Sequence, residues 1–128
     1  MLYALLIYAD PEPVLRGRDD DDEMSQHFKL AADLRERNAY VASEALGPAL
    51  RTVRVRDGRP LLTDGPHAET KEMVGGFYIV DCQDLAEAEA IAARIPPSAR
   101  GAVEVRAVMH VDGWDYGATA ARQRHTFS

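Results

Sequence analysis

The alternation of hydrophobic and polar positions along the chain predicts a regular succession of strands and helices. Residues 2–9 are a short apolar and aromatic run that stops at Asp10 and Pro11, as expected of a strand buried on both faces. From about residue 22 to Asn38, apolar residues recur every three or four positions and predict a helix, with Asn38 as a left-handed stop. The side of this helix that we expect to face the sheet carries Met24, His27, Phe28, Ala31, Leu34 and Arg35.

The middle of the chain predicts a group of short strands. Residues 40–43 form a strand candidate, and two further runs at 51–56 and 59–63 flank Asp57 and Gly58. Asp-Gly between two such runs is a strong short-range signal for a β-hairpin. Because Pro60 cannot donate to a central ladder, we expect this hairpin near an edge of the sheet. Its four arginines form a basic patch, which we interpret as protection of that edge.

The second half predicts a strand, a helix and a last strand. Residues 77–82 are apolar on both faces, and Asp84 with Glu87 forms an acidic capping box for a helix that Pro96 and Pro97 end. Residues 101–111 then alternate, as a half-buried strand does. Residues 112–128 show no sustained periodicity and form a C-terminal tail to a domain of residues 1–111, with Trp114 favouring a docked tail.

Together these elements give the split βαβ order of a ferredoxin-like domain. The predicted fold is therefore α+β, with an antiparallel sheet and both helices on one face. Strands that are apolar on both sides must also be shielded from water on the sheet face that the helices leave open. A twofold-related second copy would supply it, so we expect a homodimer.

Composition narrows the class of function. A chain of 128 residues with 46% hydrophobic residues supports one domain with its own core. The formal net charge of −6 argues against binding to nucleic-acid phosphates, and we expect neither a membrane span nor a signal peptide. The single cysteine excludes an internal disulfide and favours the cytoplasm.

Metal and cofactor chemistry have no sequence support. The four histidines and the one cysteine lack the spacing of a zinc site. We therefore expect no metal and no organic cofactor. Chemistry is then left to side chains that accept or donate protons.

Such side chains concentrate in residues 63–76, a run of turn formers and charges that ends in Gly75 and Gly76. Asp64 opens an Asp-Gly-Pro turn and either caps that turn or acts as a carboxylate base. His67 lies next to the turn, where a histidine is either surface decoration or an acid–base group. Glu69 and Lys71 are either solvated ion pairs or ligand contacts. The glycine pair allows close approach of a ligand or another chain.

The run from Thr63 to Glu72, followed by Gly75-Gly76-Phe77-Tyr78, closely resembles YCII-related proteins of the DGPF type. The end of the first strand, the Asp57-Gly58 hairpin and residues 103–106 resemble the same family. The resemblance implies a dimeric α+β barrel, as in muconolactone isomerase-like proteins. It also implies an activity through a His and Asp pair in the YCII branch, and a link to extracytoplasmic-function sigma factors in the DGPF branch. His67 stands where the DGPF pattern has Phe.

Two functions follow from the sequence. The first is a cofactor-independent small-molecule enzyme of isomerase or hydrolase type, in which Asp64 pairs with His27 or His67. The second is a non-catalytic dimeric module that binds a small molecule or a protein for regulation. The candidate ligand-binding residues are Glu69, Lys71, Tyr78 and Arg106, the last on one strand face with Glu104.

Overall fold

The computed structural model describes residues 1–9, 21–67, 73–96 and 101–127. The main sheet is antiparallel and four-stranded, in the order β2-β5-β1-β6, and β3 and β4 form a separate two-stranded sheet. This arrangement confirms the predicted α+β, ferredoxin-like fold. The strands are β1 (Leu2–Ala9), β2 (Tyr40–Ala45), β3 (Arg51–Arg56), β4 (Arg59–Asp64), β5 (Met73–Asp81) and β6 (Ala102–Ala107), and the helices are α1 (Asp21–Glu36) and α2 (Leu85–Arg94).

The hydrophobic core lies between the main sheet and the two helices. Alternate residues of the central strands β1 and β5 point towards the helices, because successive side chains of a strand face opposite sides. The buried residues of this core include Tyr3, Leu5, Ile7, Tyr78 and Val80 from the sheet and Leu30, Leu34, Ala88, Ile91 and Ile95 from the helical side. No helix among the described residues is long and apolar enough to cross a membrane.

Helix α1 buries a narrower line of residues than its sequence predicts. Leu30 and Leu34 are 1% and 0% exposed, whereas Met24 and Phe28 are exposed at 45% and 67%. The prediction that Met24 and Phe28 face the sheet is therefore wrong, because the line that touches the sheet runs through His27, Leu30 and Leu34. Asn38 has a φ of 57° and ends the helix in left-handed geometry, as predicted.

Helix α2 starts at the predicted capping box. The Asp84 carboxylate accepts from the backbone N–H of Glu87 at 2.9 Å, and the Glu87 carboxylate accepts from the N–H of Gln83 at 2.9 Å. The first bond satisfies a backbone donor that the first turn of a helix leaves unpaired, and the second ties the Glu87 side chain back to the residue before the cap.

Strand β5 begins earlier than predicted, at Met73 rather than Phe77. Gly75 and Gly76 therefore lie inside the strand rather than before it. A Cβ on Gly76 would stand 2.8 Å from the backbone oxygen of Glu44 in the neighbouring strand β2. Gly76 thus permits the close approach of the neighbouring strand β2 within the sheet.

The β3–β4 hairpin stands apart from the main sheet. Asp57 and Gly58 both have positive φ, 52° and 73°, which is the geometry of a tight hairpin turn. The hairpin was expected near an edge of the main sheet, but its strands pair only with each other in the described chain. Every residue of β4 is exposed.

The tail folds back onto the main sheet. The backbone of Gln123 accepts from Leu2, and His125 exchanges backbone hydrogen bonds with Val108 and His110. Arg122 donates to the Asp81 carboxylate at 3.0 Å. The ring of His125 meets Tyr3 edge-on, with the ring centroids 4.7 Å apart.

The side of the main sheet opposite the helices, which we call the open face, is partly apolar. It consists of the alternate residues that the register places together across the four strands. Its central residues are half-buried, and the two edge strands contribute charged groups. The open face comprises Ala4, Leu6, Tyr8, Ala42, Glu44, Phe77, Ile79, Glu104 and Arg106.

Candidate functional site

Helix α1 and strand β5 bring His27 and Tyr78 together between helix and sheet. The Nδ1 atom of His27 lies 2.7 Å from the Tyr78 hydroxyl, and the bond joins residues 51 positions apart. The two rings are nearly parallel, with an interplanar angle of 14° and centroids 6.0 Å apart. His27 thus lies on the side of the helix that the apolar spacing predicts to face the sheet.

Burial shifts both groups of this pair towards their neutral forms. Partial burial lowers the pKa of His27 below its ordinary value of 6.5, and the Glu23 carboxylate one helical turn away opposes that shift. Burial, together with the nearby Tyr40, raises the pKa of Tyr78. The pair therefore consists of a neutral imidazole and a protonated phenol at neutral pH.

Strand β2 adds hydroxyl groups beside the pair. Ser43 lies opposite Tyr78 in the register, and its Oγ is 2.6 Å from the Tyr40 hydroxyl. The guanidinium of Arg35 stacks 4.2 Å above the Tyr40 ring. The region between α1 and the sheet therefore contains two phenols, a hydroxyl and an imidazole, a set that can donate and accept protons.

The sequence did not indicate Tyr40 or Ser43 as site residues. Their run reads only as a short strand, and neither residue has a charge or a motif of its own. What connects them to Tyr78 is the pairing of β2 with β5, including a register shift between Tyr40 and Ala42. Such pairing follows from tertiary packing rather than from local sequence.

Asp64 and His67 have other partners. The Asp64 carboxylate, with 85% of its side chain exposed, pairs with Arg51 across the hairpin. Nδ1 of His67 lies 2.5 Å from Nη2 of Arg54, also at an exposed site. Neither residue hydrogen-bonds to His27, or to the other, within the described chain. The geometry therefore does not bring together the Asp64 and histidine pair that the sequence favoured.

The remaining candidates are Glu69, Lys71 and Arg106. Glu69 and Lys71 lie outside the described residues. Arg106 donates from Nε to Glu104 at 2.6 Å on the open face, and that hydrogen bond raises the pKa of Arg106. Of the five candidates that lie in the described part of the chain, His27 and Tyr78 are the two that hydrogen-bond to each other.

Elsewhere in the described chain, His110 Nε2 lies 3.1 Å from Asp112 Oδ1, but these side chains are 48% and 103% exposed and lack the burial of the His27–Tyr78 pair. Burial raises the pKa of the Cys82 thiol to about 11, so the thiol stays protonated and is a poor nucleophile. The described residues contain no group of three or more His, Cys, Asp or Glu that could hold a metal ion. The His27–Tyr78 pair is therefore the best-supported candidate site.

Comparisons with known proteins agree with this fold. An uncharacterised protein, R00369, from Rhizobium meliloti (strain 1021) is 38% identical over 96 residues, which cover 69% of this chain and 74% of that protein. Among solved structures, 5-chloro-2-hydroxyhydroquinone dehydrochlorinase from Burkholderia phenoliruptrix AC1100, in complex with 2,5-dihydroxybenzoquinone, has a TM-score of 0.51. It is 17% identical, and the match covers 90% of this chain and 100% of the other.

That dehydrochlorinase has the dimeric α+β barrel fold, which is the fold class of this chain. The likeness at this level of identity concerns the fold alone. The family model of the YCII-related domain matches residues 1–112. The chain therefore belongs to the YCII-related family.

Proposed function

We propose that this protein is a small-molecule enzyme that moves protons with His27 and Tyr78 as its acid–base pair. The observation that carries the proposal is the 2.7 Å contact between His27 Nδ1 and the Tyr78 hydroxyl. Histidine titrates near neutral pH, and a partner on Nδ1 fixes which nitrogen does the chemistry. Tyr78 takes the place that the sequence hypothesis gave to Asp64.

The hydrogen bond between the two residues forms in two ways. When Nδ1–H donates to the phenol oxygen, Nε2 carries a lone pair and acts as a base. When the phenol donates to Nδ1, Nε2 carries the proton and acts as an acid. A substrate that loses a proton to Nε2 at one atom and regains it at another is isomerised, with no net change in protons. The same base activates water for a hydrolysis.

The environment of the pair suits this role. The lowered pKa keeps His27 neutral, and therefore able to accept a proton, at neutral pH. The imidazolium formed in the reaction is stabilised by the Glu23 carboxylate, whose charge raises the pKa of His27. Proton transfer of this kind requires neither a metal nor an organic cofactor.

An exposed apolar side chain near His27 on the helix, that of Met24, favours a small substrate with an apolar or aromatic body. Met24 lies three residues before His27 on the helix, a spacing that places the two on adjacent parts of one face. Its side chain is 45% exposed. The fold is also compatible with such a substrate, since the dehydrochlorinase named above is a structural neighbour with a hydroxylated quinone bound.

Turnover by variants tests the proposal. A panel of lactones, enolisable carbonyl compounds and hydroxylated aromatic compounds is screened for conversion by the intact protein. On any compound converted, we expect His27→Gln to lower kcat by about 10²–10⁴, the usual contribution of a general acid–base group. Tyr78→Phe keeps the ring and removes the hydroxyl, and we expect a smaller loss together with an altered pH profile.

His110→Gln is the matched control. His110 is an exposed histidine paired with Asp112 in the tail, remote in sequence from the pair. Unchanged turnover in His27→Gln would refute the acid–base role. A compound that binds and shifts the His27 ring signals in NMR, without being converted, would instead favour the non-catalytic binding module.

We further propose that two copies associate through their open faces. The support is the half-buried, apolar centre of that face, which includes Leu6, Phe77 and Ile79 on adjacent strands, and the fold class. Sedimentation at micromolar concentration distinguishes a dimer from the single chain of 14.1 kDa. A monomer under those conditions would refute this part of the proposal.

A cytoplasmic location is also part of the proposal. Its support is the single, buried cysteine, Cys82, which is free and protonated. Cell fractionation tests it, and recovery from an extracellular or envelope fraction would contradict it.

A further inference from the structure

The β3–β4 hairpin carries an apolar surface that its own chain leaves exposed. Val53 lies opposite Leu62 and Val55 opposite Pro60, and directly opposed residues of antiparallel strands share a face. We call these four residues the apolar face of the hairpin. Val53, Val55 and Leu62 are 58%, 60% and 67% exposed.

An exposed hairpin of this kind needs a partner. A two-stranded hairpin with both faces in water is at most marginally stable. Here neither strand pairs with a third strand of the described chain. Contiguous apolar side chains bordered by charges are typical of protein-binding surfaces. The apolar face is therefore suited to pack against another protein surface.

The distribution of charge favours a second copy of this chain as that partner. Residues 51–64 contain four arginines and two aspartates, a net charge of +2, while the whole chain carries −6, so the other residues together carry −8. A basic hairpin on an acidic body is complementary to the body of a second copy. It repels a second hairpin.

The connectivity joins the hairpin to two strands that contribute to the open face. The hairpin leaves from the end of edge strand β2 and returns into β5, which contributes Phe77 and Ile79 to the open face. The edge strand β2 carries Glu44 on that face, and the other edge strand, β6, carries Glu104 paired with Arg106. A hairpin that reaches across a dimer of open faces thus meets apolar groups with the Glu44 carboxylate at their border.

We infer that each hairpin packs its apolar face against the rim of the partner subunit's open face and so clamps the dimer. This inference rests on the proposed homodimer and adds a second contact region to it. It is independent of the acid–base chemistry of His27.

A pair of adjacent substitutions tests the clamp. Leu62→Asp places a charge on the apolar face, and we expect it to raise the dissociation constant of the dimer about tenfold or more, because buried apolar contacts dominate interface energy. Leu61→Asp changes the next residue, which is 51% exposed and points to the opposite face of the same strand. We expect it to change the constant by less than about threefold. Sedimentation measures both.

A measurement on the unmodified protein guards against misfolding of the variants. Dimers are formed from one subunit with labelled valine and leucine methyl groups and one unlabelled subunit, and isotope-filtered NOEs are recorded. We expect NOEs from the methyl groups of Val53, Val55 or Leu62 to ring protons of Tyr8, which lies near the end of β1 on the open face, in the unlabelled subunit.

The outcomes separate this inference from the proposed homodimer. A dimer without hairpin NOEs between subunits, or one that Leu61→Asp and Leu62→Asp weaken equally, overturns the clamp and leaves the homodimer intact. A hairpin whose methyl groups contact only their own subunit also overturns it. A monomer at micromolar concentration overturns the homodimer and the clamp together.

Discussion

Two regions of this molecule carry titratable pairs, and their surroundings differ. His27 and Tyr78 meet between α1 and the main sheet, where Tyr78 is 4% exposed. Asp64 and His67 lie at the base of the hairpin, where each pairs with an arginine in contact with water. The second region contains the motif that resembles the DGPF pattern, yet in the first region two candidate residues hydrogen-bond to each other.

The difference shows what burial contributes to reactivity. A charge removed from water loses solvation, so burial shifts the pKa of a group in the direction that favours its neutral form. Water around an exposed ion pair screens the attraction and leaves little net effect. A recognisable motif at the surface is therefore weaker support for catalysis than an inconspicuous pair inside the fold.

The largest expected contrast is in stability. Leu34 is 0% exposed beneath α1, and we expect Leu34→Ala to lower the free energy of unfolding by about 2–5 kcal/mol, because it removes buried methyl groups and leaves a cavity. Leu50 precedes the hairpin and is 81% exposed, so we expect Leu50→Ala to change it by no more than about 0.5 kcal/mol. Urea unfolding measures both, and equal losses would contradict the burial assigned to the two regions.

A smaller contrast is expected in pH dependence. The pKa of His27 is lower in the folded protein than the ordinary 6.5, so the unfolded chain binds a proton more readily. The contribution of neutral His27 to the free energy of unfolding is therefore fully present above about pH 6.5. It is lost as the pH falls through the folded pKa of His27. We expect His27→Gln to remove this part of the pH dependence. NMR titration of the His27 ring checks the direction, and a folded pKa above 6.5 would contradict it.

The smallest effect is expected at the hairpin ion pair. Arg51 and Asp64 have side chains that are 63% and 85% exposed. We expect Arg51→Ala to change the free energy of unfolding by no more than about 0.5 kcal/mol, with a further decrease of the effect in high salt. Urea unfolding at low and high ionic strength measures it. A loss as large as that of Leu34→Ala would show that this pair is buried in the assembled protein.

Local patterns in the sequence predicted most of the fold. The Asp57-Gly58 turn, the Asp84 cap and the stop at Asn38 are all where the sequence places them, because each depends on backbone geometry within a few residues. The start of β5 was wrong by four residues. Two adjacent glycines predict that a strand has not yet begun, but pairing with β2 keeps Gly75 and Gly76 in β5.

The candidate site was less predictable. His27 was recognisable from its place on the helix, but its partner was not, since Tyr78 lies 51 residues further along the chain. The sequence favoured Asp64 as the partner of a histidine because Asp64 lies in a conspicuous polar turn. Nothing in the local sequence shows that β4 stays exposed to solvent while β5 enters the core.

The sequence by itself determined the succession of strands and helices, the family, and the inward position of His27. The first and the last of these follow from periodicity and turn chemistry, which act over a few residues, whereas the family follows from the resemblance of the motif at residues 63–78. Only the tertiary structure decided which titratable groups meet. Strand order brings Tyr78 beneath α1 and leaves Asp64 on a hairpin in solvent, and burial then shifts the pKa values of His27 and Tyr78.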